Sequence, residues 1–212
     1  MPRLAVEARE ARRENILRAA LRCFARSGYY PTTVDDIAAE AGVSKGAPYV
    51  YFESKEALFQ QLYDSWDCGL LARIDAALAR LRGLGSRSPS RALEAIITAV
   101  GAHVSEETDL CRVLIEVRTQ GAYVDAIAER VRSSEAEAHG SLRQLIEAGI
   151  AGGEWPPDTD PDLHAQLIRA TLHGLMAEWH LRPGSFSWEE MARVMTARVG
   201  GGGGARWTAT RA

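Results

Sequence analysis

Between Thr33 and Lys55 the chain reads TVDDIAAEAGVSKGAPYVYFESK, a stretch holding the only two lysines of the protein, Lys45 and Lys55. Within it, Ser44-Lys45-Gly46-Ala47 combines a hydroxyl, one ammonium and a backbone almost bare of side chain. Uncovered N–H groups at a helix start attract phosphate, and small side chains allow close approach to base edges. Lys45 suits a guanine edge or a phosphate oxygen, and Val50 offers the apolar contact that a thymine methyl accepts. Tyr49 and Tyr51 each join an apolar ring to a phosphate-reaching hydroxyl. This is the chemistry of gripping a polyanion, not of breaking bonds. No nucleophile–base pair, phosphate loop, HExxH or CxxC arrangement stands out in the chain. His173 and His180 lie two helical turns apart, too far to share one metal ion. No metal and no cofactor is expected.

The elements that must position these residues carry their own start and stop signals. Thr33 and Asp36 stand in the [ST]-x-x-[DE] arrangement that satisfies free N–H groups at a helix start. Ile37, Ala38 and Ala41 form its inward face, Gly42 breaks the helix and Val43 plugs the turn. Ser44 then caps a second short helix from Lys45 to about Phe52, with Phe52 as its core anchor. Pro48 falls in the first turn, where its missing N–H is a free donor anyway, so this helix is expected to persist. Two short helices joined by a tight Gly-containing turn make a helix-turn-helix. Before it, a helix from about Glu7 to Ser27 shows an apolar stripe through Ile16, Ala20 and Phe24 and stops at Gly28. Its other face interleaves Arg9, Arg12, Arg13, Arg18 and Arg22 with Glu10 and Glu14, a solvated surface with one or two arginines near phosphate.

Downstream, Leu58, Leu62, Trp66, Leu70, Ile74 and Leu78 recur every four residues from about Ser54 to Leu81. That span predicts roughly 40 Å of helix, a lever weakened midway by Gly69. After the linker GLGSRSPS, further helices are expected at about Pro89–Ser105, Asp109–Gly121, Tyr123–Ala151, Asp160–Arg182 and Ser187–Val199. No segment alternates with period two, so the fold class is all-α, with about nine helices. Residues 200–212 read as a disordered Gly-rich tail.

The net charge is −3 over 212 residues; residues 1–57 carry 9 Lys/Arg against 8 Asp/Glu and the remainder 16 against 20. A nucleic-acid footprint must therefore come from local placement, not from bulk charge. No apolar run approaches the ~18 residues of a membrane span, and MPRLAVEARE is charged where a signal peptide is apolar, so a cytoplasmic protein is expected. Cys23, Cys68 and Cys111 are odd in number and widely spaced, which favours reduced thiols over disulfides or a redox sensor.

The run Ile16-Leu17, Ala20, Phe24, Gly28, Thr32-Thr33-Val34, Ile37-Ala38, Ala41-Gly42-Val43-Ser44, Gly46, Tyr49, Tyr51-Phe52 and Ser54-Lys55-Glu56 resembles the DNA-binding domain of TetR-family transcriptional regulators over roughly 45 residues. The resemblance implies a three-helix DNA-binding domain over 1–57 with its helix-turn-helix at about 33–52. It further implies an effector-binding and dimerisation domain over 58–199. The partners implied are a roughly palindromic double-stranded operator, a small-molecule effector and a second copy joined through the eighth and ninth helices, Asp160–Arg182 and Ser187–Val199. Gly174 and the apolar Leu167, Leu175, Met176, Trp179, Val194 and Met195 on those helices accord with that pairing. The expected DNA contacts are Thr33, Ser44, Lys45, Gly46, Ala47, Tyr49, Val50, Tyr51 and Lys55. Lys55 opens a helix, the end a cation disfavours, which a phosphate opposite it would explain. Pro48 and Val50 depart from the family pattern, leaving the operator sequence open. A pocket among the fourth to eighth helices would draw polar groups from Trp66, Arg112, Glu116, Arg118, Tyr123 and His173, although a capped surface charge or a core residue is the simpler reading of each. A ligand-released dimeric repressor is the expectation. Its alternatives are a small helical enzyme and an architectural DNA-binding protein without effector.

Overall fold

The structure, a computed structural model, describes residues 2–119 and 125–199. The described residues form eight α-helices and one 3-10 turn, with no strand: α1 (Pro2–Ser27), α2 (Val34–Ala41), the 3-10 turn (Pro48–Val50), α3 (Lys55–Gly83), α4 (Pro89–Glu106), α5 (Thr108–Thr119), α6 (Asp125–Ala151), α7 (Pro161–Leu181) and α8 (Trp188–Val199). The all-α reading holds, and nine helical elements follow in the expected order. No helix among the described residues is long and apolar enough to cross a membrane. The tail expected from residue 200 lies outside the described residues.

Two details differ from expectation. α1 begins at Pro2, ahead of Glu7, because proline is tolerated in the first turn of a helix. The segment expected as an α-helix over Lys45–Phe52 is instead a series of tight turns ending in the 3-10 turn. Its backbone bonds run mostly to the third residue back, with Ala47 N–H to Ser44 O at 2.9 Å, Val50 N–H to Ala47 O at 3.2 Å and Tyr51 N–H to Pro48 O at 3.0 Å. Pro48 is the cause: it has no N–H for the Ser44 carbonyl, and its ring crowds the carbonyl four residues back. A 3-10 path avoids that crowding.

The chain forms two compact units. One comprises the chain up to Leu71 together with His103–Ser134; the other comprises Ala72–Ala102 and the chain from Glu135 onward. In the first unit α1 packs on α2 and α5. Ile16, Ala19, Ala20 and Phe24 of α1 are buried with Ile37 and Ala38 of α2 and Leu58, Phe59 and Leu62 of α3. The ring of Tyr29 sits at their centre, 5.2 Å from Phe24 and 5.1 Å from Phe59 between centroids. Gly69, read from sequence as a weak point of α3, makes room for a buried ring: a β-carbon there would lie 3.0 Å from His103 Cε1.

The second unit is built around indoles. Trp179, Phe186 and Trp188 form a ring cluster with centroid separations of 5.1–6.0 Å. Trp188 of α8 presses on Gly101 of α4, and Trp155 on Gly149 of α6. α7 starts as its sequence announces: the Asp160 side chain accepts from the Asp162 and Leu163 N–H groups, with Pro161 in the first turn. Arg169 of α7 pairs with Glu135 of α6 at 3.0 Å.

Candidate nucleic-acid interface

Reciprocal capping fixes the first edge of the site. Asp36 N–H donates to Thr33 Oγ1 at 3.2 Å, Thr33 N–H donates to Asp36 Oδ2 at 2.9 Å, and the Thr33 hydroxyl donates to the same oxygen at 2.6 Å. The other end of α2 closes at Gly42, which takes the left-handed conformation (φ 67°). Val43 N–H then reaches back to Ala38 O at 3.0 Å, closing the αL cap that only glycine adopts cheaply. Both signals were readable in the sequence.

Hydrogen bonds from the Thr33 hydroxyl and then its N–H hold the Asp36 carboxyl below the usual aspartate range. Its folded pKa lies below its unfolded one, so the cap contributes fully above about pH 4 and fades as pH falls below that. Thr33→Ala should lower stability by about 1 kcal/mol at neutral pH. Urea unfolding of variant and parent at pH 7 and pH 3 checks this, and the gap should narrow in acid. An equal gap at both pH values would mean that the carboxylate takes no part in the cap.

After Gly42 the chain presents a face to solvent. Ser44, Lys45 and Gly46 are exposed, and Tyr49 and Val50 keep 56% and 67% of their surface open. Pro48 and Phe52 point the other way and are buried. The break from α-helix thus preserves the division of faces: Pro48 plugs the core while its neighbours stay outside. Cations of α1 brace this element from behind. The Arg13 guanidinium stacks 5.2 Å from the Phe52 ring and donates to Gln61 Oε1 at 2.6 Å, and Arg9 lies 5.9 Å from the Tyr51 ring. Arg22 and Arg26 both pair with Glu40 of α2.

The two lysines have different surroundings. Lys45 Nζ lies 2.7 Å from Asp35 Oδ2 in an exposed pair, which raises the pKa of the ammonium. Such pairs dissociate at little cost. Lys55 donates to the carbonyls of Tyr29 at 3.0 Å and Tyr30 at 3.1 Å and lies 4.5 Å from the centroid of the Tyr29 ring. Its place at the start of α3, for which the sequence suggested an opposing phosphate, is accounted for by these two carbonyls.

The residues expected to line an effector pocket scatter. Trp66 is core, its ring 4.3 Å from that of His103 and its carbonyl 3.1 Å from His103 Nε2. Arg112 donates to the Ala25 carbonyl near the end of α1 and lies 3.7 Å from Asp109. Glu116 accepts from Tyr29 N–H at 3.2 Å, and its carboxylate is so close to Gly28 that a β-carbon there would come within 2.9 Å. Arg112 and Glu116 therefore meet at the turn between α1 and α2. His173 is half-buried on α7. Tyr123 and the side chain of Arg118 lie outside the described residues. A groove that combines charge with an apolar lining is made by Arg73, Arg80 and Arg91 among others, none of them singled out by sequence. Burial pushes the Cys111 thiol up to about 12 and raises that of Cys23, so neither is a thiolate at neutral pH.

This architecture is that of known regulators. Residues 16–62 match the family of bacterial regulatory proteins, tetR family, and residues 89–201 match the C-terminal region of BetI-type transcriptional repressors. The chain is 28% identical over 196 residues to the HTH-type transcriptional regulator AcrR of Shigella flexneri, covering 90% of this chain and 88% of that protein. It is 28% identical over 199 residues to the HTH-type transcriptional repressor KstR2 of Mycolicibacterium smegmatis, covering 91% and 90%. Among solved structures, the MbdR regulator from Azoarcus sp. CIB superimposes with a TM-score of 0.72 at 27% identity over 89% of this chain and 97% of that one. With Ser44, Lys45, Tyr49 and Val50 of the helix-turn-helix open to solvent and both parts of the chain matching regulators, the protein belongs to the tetR family of bacterial transcriptional regulators: it is a DNA-binding regulator of the repressor type, not an enzyme.

Proposed function

We propose that the chain is an effector-responsive repressor acting in the cytoplasm, with residues 1–57 reading a roughly palindromic operator and residues 58–199 sensing a ligand and pairing two copies. The observation that carries this reading is the exposed face of Ser44, Lys45, Gly46, Tyr49 and Val50, set on a frame fixed by two caps and two buried anchors. In the complex, Lys45 exchanges Asp35 for a phosphate or a guanine edge, Val50 meets a thymine methyl, and the Tyr49 hydroxyl reaches phosphate. Thr33, Ala47 and Tyr51 border the contact. Lys55 keeps its carbonyl partners and holds the turn.

Pairing is assigned to α7 and α8. Leu163, Leu167, Ala170, Gly174, Ala177 and Leu181 alternate spacings of four and three residues, the repeat of a helix–helix seam. At about 100° per residue they share an arc of roughly 80°. Leu163, Leu167 and Leu181 are 64%, 58% and 74% exposed, and Val194 of α8 is exposed too, more apolar surface than a single helix face needs to show. A β-carbon on Gly174 would touch nothing within 4 Å among the described residues, so its smallness serves no packing among them. A second helix laid along this seam would use it.

Signal transfer is assigned to the turn after α1. Arg112 and Glu116 both belong to α5 and both hold that turn, so a shift of α5 displaces the start of α2. To move a 1:99 population to 99:1 the effector must bind the released state more tightly by about 5.5 kcal/mol.

The test is a gel shift with DNA from upstream of the protein's own gene. Lys45→Ala should weaken every bound sequence about equally, whereas Val50→Ala should relax preference at one position of each half-site, by about 1–3 kcal/mol if the contact is to a base. Unchanged affinity in the double variant would remove this face from the DNA.

A further inference from the structure

We propose that the second unit binds an anionic amphiphile, an apolar body carrying a carboxylate or phosphate head, in the groove between the C-terminal half of α3 and α4. The groove has a volume of about 720 Å³. That falls inside the range of about 300–1,000 Å³ typical of small-molecule sites. Its lining divides into two chemistries. Ala76, Ala77, Leu81, Ala95 and Ala99 are among the apolar wall residues, and Leu84 joins them with its side chain almost wholly in water. Arg73, Arg80 and Arg91 supply three guanidinium groups against one carboxylate, Glu94, and one hydroxyl, Thr98.

The cations are placed to converge. Arg73 and Arg80 are seven residues apart on α3, two turns along one face, and Arg91 comes from the first turn of α4. Among the described residues no ion pair engages Arg80 or Arg91. The surroundings add to the field: from residue 73 to residue 91 there are five arginines and one acid, Asp75, a local charge of 5 − 1 = +4 in a protein of net charge −3. A planar guanidinium matches carboxylate and phosphate oxygens in pairs and is weakly hydrated, so it holds an anion beside apolar surface better than an ammonium does.

The pairing of chemistries selects the occupant. An inorganic anion would use the arginines and leave the apolar walls wet. A neutral hydrocarbon would cover the walls and leave the cations idle. An amphiphile satisfies both, and an open groove admits a flexible tail without a lid. The proposal deepens the reading of the chain as a ligand-responsive regulator by giving the ligand a chemical class and a place, but its test reads binding directly.

Isothermal titration of the full chain with decanoate, decyl phosphate, 1-decanol and inorganic phosphate, each below any micelle-forming concentration, tests it. At least one of the two decyl anions should bind at least tenfold tighter than decanol and at least tenfold tighter than inorganic phosphate. The two anions compared with each other identify the preferred head. Arg80→Ala combined with Arg91→Ala should weaken anion binding at least tenfold and leave the thermal midpoint and the operator shift unchanged, since both side chains are exposed. Ala95→Trp, which fills the groove, should weaken the tailed ligands alone. Decanol or inorganic phosphate binding as tightly as the decyl anions, no binding of either anion, or arginine variants that titrate like the parent would overturn the proposal. A parent that shifts its operator but binds neither anion retains the regulator reading and loses this site. A parent that binds the anions but shifts no DNA keeps the site and loses the regulator reading.

Discussion

Alanine at position 101 should lower the thermal midpoint by roughly 4–8 °C, although alanine is the better helix former. Two effects oppose each other. In the middle of α4, replacing glycine by alanine gains about 1 kcal/mol of helix propensity. A β-carbon on Gly101, however, would lie 2.6 Å from Trp188 Cβ and closer still to its indole carbons. These atoms sit at the base of a buried side chain on α8, not at the tip of a flexible one, so relief requires moving the helix. Overpacking of this kind costs about 1–3 kcal/mol and occasionally more. With backbone-proximal atoms in the way the cost falls at the top of that range, the clash wins, and a net loss of about 2 kcal/mol corresponds to the stated shift for a chain of this length. Gly140→Ala in α6 is the matched control. Nothing lies within 4 Å of a β-carbon there, so it should stabilise by up to about 1 kcal/mol. A Gly101→Ala protein that melts at or above the parent temperature would mean that Trp188 does not pack on this site.

The second large effect is on assembly. Leu163→Glu with Leu167→Glu should leave a folded monomer that no longer dimerises and binds operator at least 100-fold more weakly. In an isolated chain both leucines face water, and exposed substitutions usually stay within about 0.5 kcal/mol. Across a twofold axis each position counts twice. Four leucines buried at about 1.5–3 kcal/mol each give roughly 6–12 kcal/mol, against about 8 kcal/mol for a micromolar dimer. Introducing four carboxylates into that seam leaves nothing to hold it. Sedimentation equilibrium reads the mass, circular dichroism the helix content and gel shift the DNA. A variant that stays dimeric places the seam elsewhere on the molecule.

Local signals carried the fold. Thr33 with Asp36, Gly42, and Asp160 with Pro161 are capping devices whose chemistry is complete within a few residues, and each forms as its sequence announces. Pro48 shows the limit of such reasoning. Its missing N–H is compatible with a first helical turn, but the crowding of its ring against the Ser44 carbonyl decides the path, and the result is a 3-10 turn. The glycines show another limit. Within a helical pattern Gly69 reads as weakness and Gly101 and Gly149 read as nothing in particular, yet each is a socket for a ring: His103 of α4 at Gly69, Trp188 of α8 at Gly101, and Trp155 from the turn after α6 at Gly149.

The same reason explains the candidate sites. The exposed face proposed to meet DNA was legible because Ser44 to Tyr51 is contiguous, so naming the stretch names the surface. The effector candidates were chosen for residue type on helices thought to border a pocket. Trp66 turned out to be core, and Arg112 and Glu116 bind backbone at the turn after α1. Arg73, Arg80 and Arg91 look like ordinary solvated charges in one dimension. Only the packing of α3 beside α4 gathers them around an apolar groove.

The exposed pair between Lys45 and Asp35 gives the proposed DNA-reading face a built-in counterion. Much of the indiscriminate attraction between proteins and duplex DNA comes from ions set free when a cation meets phosphate. A lysine that holds a carboxylate at 2.7 Å in an exposed pair gives it up at little cost, but Asp35 then stands near the phosphates as a like charge. Hydrogen bonds and methyl contacts to base edges depend on geometry and do not suffer this handicap to the same degree. If this face meets DNA as proposed, one acid beside one base tilts it from grip toward selectivity: chance sequences would be held loosely, and the operator distinguished by what only its bases can offer.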